Sequence, residues 1–404
     1  MLVTDSAGIP GGADAAGGSS KPPRSRRRRL LRWTGLGAAF LAVAGSAAGW
    51  WLYNKLDGNI TEDTSAAAEL RRYERERPAH LATGAENILL IGSDTRSGKD
   101  NARYGRDRGT QRSDTAILLH LPADRRSATA VSIPRDLMAQ VPPCLKADGS
   151  RTREQFAQFN WAFQWGGAAC TIRTVEKFSG IRIDHHMVID FGGFKKMVEA
   201  IGGVEVCLKQ PVDDPEARLK LPAGRQNLRG EQALGFVRAR YSLGNGSDTE
   251  RMARQQQFLG SLVKKVQSNG VLLNPARLYP LLDAATSSVT TDPGLASLRD
   301  LYELVRGVRD IPTEQVKFLT VPRRPYAANP NRDELVEPDA AGLFAQLRTD
   351  KPVTVTPPRP DSGIKPAEPA PTTTPGDRTD GGTAATPTPV PTFTGTTAGM
   401  ADCR

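Results

Sequence analysis

The chain has 404 residues, 38% of them hydrophobic and 24% charged, which is enough apolar material for one large or two ordinary domains and excludes wholesale disorder. Four cysteines are too few for a disulfide scaffold. Of the net charge of +10, half sits in residues 1–32, where Lys21, Arg24, Arg26, Arg27, Arg28, Arg29 and Arg32 face only Asp5 and Asp14; the rest is mildly basic, so no nucleic-acid partner is implied.

Residues 1–29 are rich in Gly, Ala, Ser and Arg without apolar periodicity, the pattern of a disordered basic tail. A transmembrane helix is expected over 30–53. The run Trp33 to Tyr53 is uncharged over 21 residues, and at 1.5 Å per residue it spans about 30 Å, one bilayer core. Trp33 marks one interface; Trp50, Trp51 and Tyr53 mark the other. A cleavable signal peptide would carry a shorter apolar region of about 7–15 residues ending in small side chains. This run ends Trp-Trp-Leu-Tyr instead, so it reads as a retained anchor. The flanking arginines place the tail in the cytoplasm and everything after about residue 54 outside, a single-pass type II topology.

Residues 54–84, with the charged stretch LRRYERERPAH, read as a solvated juxtamembrane spacer. Alternating strands and helices begin near 86. Strand-like runs are 87–92, 115–121, 128–133, 186–191, 204–208 and 316–321, several of them continuously apolar, as in a sheet covered on both faces. Helical patterns occupy 171–179, 191–201, 230–239, 249–268 and 295–308. Together they predict an extracellular three-layer α/β/α domain over 85–350, with a central mixed sheet. Cys144 and Cys170 bracket a loop-rich segment and are the favoured disulfide pair; three buried thiols, Cys207 included, are the alternative. The last stretch, 351–404, holds 11 of the 30 prolines and 13 threonines. It is expected to be an extended, disordered Pro/Thr-rich tail that contributes nothing to a core; Cys403 there has no evident partner.

No Ser-His-Asp arrangement, P-loop, dinucleotide fingerprint or zinc-protease motif is present. The four histidines, His80, His120, His185 and His186, suit structural roles. The informative residues are acids and arginines at strand ends: Asp94 after NILLIG, Asp114 before TAILLHL, and Arg135 with Asp136 after ATAVSI. Strand ends form the usual crevice of an open α/β sheet. Two carboxylates there suit a hard divalent cation, although aspartates also cap turns and helices.

A second cluster, FVRARYSLGNGSDTERMARQQQFL, supplies Arg238, Arg240, Asp248, Arg251, Arg254 and Gln255. Ser247 to Glu250 has capping-box form, so a helix starts there. Arg251, Arg254 and Gln255 then share a face in its first turns, where the helix dipole favours an anion. Arginine forks bind phosphate bidentately and stay charged. Arginine outnumbers lysine throughout this chain, so a solvated Arg-rich face is the competing reading. Phe156, Trp161, Phe163 and Trp165 offer an apolar wall, or ordinary core. An anchor, an outside anion site and an apolar wall together point to a lipid phosphate substrate.

IGSDTR, RSDTAILLHL, SIPRDL, FNWAFQWGG, IDHHMVIDFGGFKKMVEAIGGVEVCL, LRGEQALGFVRAR and SDTERMARQQQFL follow one another in that order. As an ensemble over 86–270 they closely resemble the LytR-CpsA-Psr family. The resemblance implies an α/β/α fold with a hydrophobic lipid pocket. It also implies a phosphotransferase that moves a cell-wall glycopolymer from a polyprenyl-pyrophosphate carrier onto peptidoglycan, with Mg²⁺ or Mn²⁺. Asp94 and Asp114 match the family's metal-site aspartates. Arg135, Arg238 and Arg240 match its pyrophosphate arginines, with Arg112, Asp248, Arg251, Arg254 and Gln255 beside them. Asp94, Asp114, Arg135 and Arg240 are then the catalytic candidates. A polyprenyl-pyrophosphate hydrolase and a non-enzymatic anchor that binds wall polymer are the rival functions.

Overall fold

A computed structural model of the protein describes residues 24–81, 83–94, 113–239, 248–268, 274–357 and 391–400. The chain divides into two compact units, Met1–Asn54 and Lys55–Arg404. The first contains most of helix α1 (Arg24–Asp57), of which Arg32–Asp57 is long and apolar enough to cross a membrane.

The second unit is built on a nine-stranded sheet of order β1-β12-β7-β2-β3-β4-β13-β17-β16. Its strands are β1 (Thr61–Glu62), β2 (Glu86–Ser93), β3 (Ser113–Leu121), β4 (Ala128–Ile133), β7 (His185–Asp190), β12 (Val289–Thr291), β13 (Val316–Thr320), β16 (Thr354–Thr356) and β17 (Thr392–Thr397). The sheet is mixed: β2 pairs with β7 and β4 with β13 in parallel, while β3 runs antiparallel to both neighbours. Four two-stranded antiparallel sheets accompany it, formed by β5 (Met138–Val141) with β6 (Gln155–Gln158), β8 (Val204–Leu208) with β11 (Gly224–Leu228), β9 (Val212–Asp214) with β10 (Leu219–Leu221), and β14 (Arg323–Tyr326) with β15 (Asn329–Leu335). The helices are α2 (Thr64–Arg72), α3 (Phe159–Ser179), α4 (Phe191–Ala200), α5 (Gly230–Arg238), α6 (Asp248–Gln267), α7 (Pro275–Thr286), α8 (Leu298–Arg309) and α9 (Asp339–Arg348).

The continuous apolar runs have the cause the sequence suggested. Successive strand side chains point to opposite faces. In β2, Leu89 and Ile91 join one core with Ile172 and Val175 of α3 and Phe344 and Leu347 of α9. Ile88 and Leu90 join a second core with Leu259 and Val263 of α6 and Leu304 and Val308 of α8. Helices therefore cover both faces, giving the α/β/α layering. A third core lies among α4, α5, α6 and the strands β8 to β11. The VEVCL run accordingly forms a strand outside the main sheet, paired with β11.

Two expectations are corrected. Residues 54–84 are no solvated spacer: β1 is an edge of the main sheet, paired with β12, and Ala66 and Leu70 of α2 are buried in the first core. Arg77 then pins this segment down. Its guanidinium donates to both carboxylate oxygens of buried Glu176, at 2.7–3.1 Å, and to the Ile183 carbonyl at 2.7 Å. Removing one member of such a pair leaves a buried charge uncompensated. Arg77→Ala is expected to cost about 3 kcal/mol of unfolding free energy; a change in denaturant midpoint of less than a third of that would show the contact to be idle.

The second correction concerns 351–404. β17 lies between β13 and β16, antiparallel to the first and parallel to the second. Phe393 is 7% exposed and Ala398 0%, so part of the Pro/Thr-rich segment is core. The composition argument failed because six residues of strand need only one or two apolar side chains when both neighbours supply the backbone partners.

The disulfide joins Cys144 to Cys170, the favoured pair, with Cα atoms 5.4 Å apart. It explains the Gly166-Gly167 break in α3. A Cβ on Gly166 would lie 2.9 Å from the Cys170 Cβ and 3.0 Å from the Cys144 Cβ, and Gly167 has φ +58°. Cys207 is disulfide-bonded as well.

Candidate active site

Three main-sheet strands end on one side of the molecule. There the end at which β2 stops and β3 starts carries both predicted acids. Gly92 pairs with Thr115 and Ser93 with Ser113, leaving Asp114 in the irregularity between them. Asp94 is the next residue after Ser93. Gly92 has a reason to be glycine, since a Cβ there would press on the Thr115 Cβ at 3.3 Å.

Arg135 follows β4 and is held from two sides. Its Nη1 donates to Asp114 Oδ1 at 3.1 Å and its Nε to Asp136 Oδ2 at 3.2 Å. Asp136 in turn accepts from Gln158 Nε2 at 2.6 Å and pairs with Arg332 at 3.5 Å. The guanidinium is thus oriented before any ligand arrives.

Arg238 closes α5, with its Cζ 4.6 Å from the centre of the Phe191 ring. The end of α5 is itself fixed by α6. Gln255 Nε2 donates to the Val237 carbonyl at 3.1 Å, and Arg254 Nη2 donates to the Ala239 carbonyl. Carbonyls at a helix end lack intrahelical partners, so these side chains satisfy them. Burial holds the Arg254 pKa below its ordinary value, opposed by the charges of Glu250 and Asp214. Gln256, one residue on, ties α6 to the sheet through Ser132 and Thr320, both at 3.1 Å.

These parts surround a cavity of about 370 Å³. Its polar lining is Asp114, Arg135, Arg238, Arg251 and Gln255, together with Asp190 and Asp214; Arg251 and Asp214 are buried. Its walls are apolar: Leu90, Ile117 and Ile189 from the sheet, and Phe191, Phe194, Leu234, Phe258 and Leu259 from α4, α5 and α6. The volume falls in the usual range for small-ligand sites, about 300–1,000 Å³. Chemically the arrangement suits an amphiphile with an anionic head, since arginine forks share the lining of one cavity with apolar side chains.

The sequence candidates divide accordingly. Asp114, Arg135, Arg238, Arg251 and Gln255 meet at the cavity. Arg254 shares their helix but reaches back to the α5 carbonyl. Arg112 and Arg240 lie outside the described residues; Asp248 marks the start of α6. The proposed aromatic wall is a correction. Phe163 is in the α3 core and Trp165 packs near the disulfide, while Phe156 and Trp161 are 47% and 36% exposed. None of the four lines the cavity. Its aromatics are Phe191, Phe194 and Phe258. Phe258 was legible, being seven residues after Arg251 and three after Gln255, hence on the same helical face. Asp190 was legible too, as another acid at a strand end; its Oδ1 accepts from the Gly193 N–H at 2.7 Å and caps α4.

The described histidines are structural, each beside a carboxylate. His120 sits between Asn87 and Asp350 at 2.8 and 3.1 Å; His80 and His185 bond Asp184 and Asp292 at 3.1 and 3.0 Å. His186 lies 3.6 Å from Asp63. Burial alone would raise the Asp63 carboxyl. The nearby His186 ring, with hydrogen bonds from the Ala66 N–H and Ser65, outweighs it and holds the group at about 2. A carboxyl depressed in the folded state contributes stability above its unfolded pKa of about 3.9 and loses it as pH falls through the folded value. Asp63→Asn should therefore lower the melting temperature at neutral pH and flatten its decline between pH about 4 and 2. An unchanged acid limb in a pH series of melting curves would refute this.

With the cavity placed, its relatives can be read. The model of the LytR_cpsA_psr family matches residues 56–346. The chain belongs to that family. Among curated relatives it is 35% identical over 269 residues to the cell wall biosynthesis protein LcpA of Corynebacterium glutamicum, covering 60% of this chain and 51% of LcpA. It is 29% identical over 243 residues to the polyisoprenyl-teichoic acid–peptidoglycan teichoic acid transferase TagV of Bacillus subtilis, covering 59% of each. The chain thus spans about half the length of the curated relatives it matches. Crystal structures of B. subtilis TagV and of protein gbs0355 from Streptococcus agalactiae superpose with TM-scores of 0.52 and 0.55 at 23% and 21% identity. They cover 67% and 68% of this chain, and 99% and 92% of their own. At that identity they show the fold: a mixed central sheet between helices.

Proposed function

We propose that this family member is an anchored envelope phosphotransferase. It moves a glycopolymer from a polyprenyl-pyrophosphate carrier to a sugar hydroxyl of peptidoglycan and releases polyprenyl phosphate. The observation that carries the reading is the cavity: an apolar slot whose lining also holds Arg135, Arg238 and Arg251, with Arg135 paired to Asp114. The prenyl chain enters the slot and the pyrophosphate stops among the arginines. The names of relatives such as TagV, a transferase of teichoic acid to peptidoglycan, support the reaction class. The apolar helix and the disulfides support an anchor and an oxidising, outside location.

Among the described residues no group of three or more His, Cys, Asp or Glu forms a metal cage. The end at which β2 stops and β3 starts offers two carboxylates, the set that Mg²⁺ takes when phosphate oxygens and water complete its shell. Asp94 and Asp114 would hold Mg²⁺ or Mn²⁺, which would neutralise charge on the phosphates. The acceptor oxygen forms a bond to the phosphorus that bears the polymer. The bond from that phosphorus to the bridging oxygen breaks, and the hydroxyl proton leaves to solvent or a carboxylate. Arg135 and Arg238 hold the equatorial oxygens where charge is spread in phosphoryl transfer.

The test supplies the purified full chain with a polyprenyl-pyrophosphate saccharide, with and without glycan acceptor, and weighs the products. A saccharide–phosphate–glycan adduct is expected. Free saccharide phosphate with the acceptor ignored would make the protein a hydrolase, and unchanged lipid with retained polymer binding would make it a passive anchor.

A further inference from the structure

Helix α8 has 12 residues and buries none of them fully. Its inner side, Leu304 and Val308, packs on the second core, which also contains Leu259, a wall residue of the cavity. Its outer side is Arg299, Tyr302, Val305, Arg306 and Arg309, with Tyr302 59% and Val305 48% exposed. Glu303 and Asp310 lie at one edge of that face and pair with Arg306 at 3.9 Å and Arg309 at 3.2 Å. That face thus presents an aromatic and an aliphatic side chain to solvent among three arginines.

Chain connectivity says which. The apolar run ends at Tyr53, and four residues cannot span more than about 14 Å, so Asp57 stays within that distance of the run. Asp57 Oδ1 accepts from the Leu298 backbone N–H, the first residue of α8, at 2.8 Å. The same segment is fixed to α7: Lys55 pairs with Asp283 at 3.5 Å and donates to Tyr279 at 2.8 Å, and Asn59 donates to Asp283 at 3.1 Å. The start of α8 is therefore tied to a residue that chain connectivity keeps within about 14 Å of the end of the apolar run.

We propose that α8 is an interfacial helix, its outer face resting on the phosphate headgroups of the membrane from which α1 emerges. The inference rests on α1 being a membrane anchor. Arginines at such a surface gain from anionic lipid, and Tyr and Val sit at the headgroup boundary. Through Leu259, docking would hold the cavity beside the bilayer that contains the lipid carrier.

The experiment reconstitutes the full chain in vesicles of phosphatidylcholine and phosphatidylglycerol. A nitroxide is placed by Tyr302→Cys, by Gly45→Cys in the apolar run, or by Lys220→Cys on the exposed β9–β10 hairpin. The described native cysteines are all in disulfides, so labelling is selective. The ratio of oxygen to water-soluble nickel collision is expected to be several-fold higher at 302 than at 220, and highest at 45. Reversal of Arg299, Arg306 and Arg309 to Glu should bring 302 to the value at 220, with melting unchanged. Depth at 45 with a solvent-like 302 overturns the docking and spares the anchor. A solvent-like 45 overturns the anchor and the docking with it. A label at 302 shielded from both reagents means that a protein covers α8, which also refutes the proposal.

Discussion

Truncation after Asp350 is expected to cost the domain at least about 5 kcal/mol, close to the loss of a buried phenylalanine plus smaller apolar side chains. Phe393 is part of the first core with Val353 and Val355 against it, and Ala398 is part of the second. Without β17, strand β13 also loses the backbone partners of Lys317, Phe318 and Leu319. An exposed strand edge next to apolar residues is an aggregation hazard as well as a loss of stability. Gly395 shows how tightly the strand is seated: a Cβ there would lie 2.5 Å from the Phe318 carbonyl oxygen. For a domain of this size each kcal/mol moves the melting temperature by about 2 °C or more, so a drop of at least about 10 °C is expected. Phe393→Ala in the full chain should reproduce about half of it, separating packing from chain length. Melting curves of the three proteins decide the matter; a truncated form that melts with the full chain would return β17 to the status of a passive tail.

That strand marks a limit of reading structure from sequence. The central strands were legible because burial on both faces favours continuous apolar runs, as over Ile88 to Ile91 of β2. Helices α4, α5 and α6 were legible through their period and, for α6, its capping box. β1 and β17 were not. Strands of two to six residues carry too few side chains for a pattern, and their place is set by partners distant in sequence. The same distinction holds in the site. Asp114, Arg135 and Arg238 stood out as an acid and arginines at strand and helix ends, positions that also suit caps, as Asp190 shows. The aromatic wall was misplaced because a phenylalanine in a core and one in a cavity look alike until the fold shows which face is empty. Arg254 shares the helical phase of Arg251 and Gln255, and phase says nothing about a long side chain folding back to a carbonyl.

Arg238 offers the sharpest test of the site. It lines the cavity, stacks on Phe191 at 4.6 Å, and follows directly on Val237, whose carbonyl Gln255 holds at 3.1 Å. A charged hydrogen bond to phosphate is worth roughly 1.5–3 kcal/mol, so Arg238→Ala should weaken binding of a polyprenyl pyrophosphate by about ten- to a hundredfold or more. Arg238→Lys should recover only part of this, because an ammonium has no planar fork to share between two oxygens while lying flat on a ring. Gln255→Ala removes the support rather than the charge. It should cost less in affinity than Arg238→Ala, and combining the two should cost less than the sum of the separate losses, since both act through one guanidinium. Melting should stay within a few degrees in Arg238→Ala, as a half-buried cavity side chain leaves no closed void behind. Lipid affinity, transfer rate and melting of the full chain are the measurements. Undiminished affinity in Arg238→Ala together with a large fall in melting would mean that the Phe191 stack is structural and that the anion is bound elsewhere.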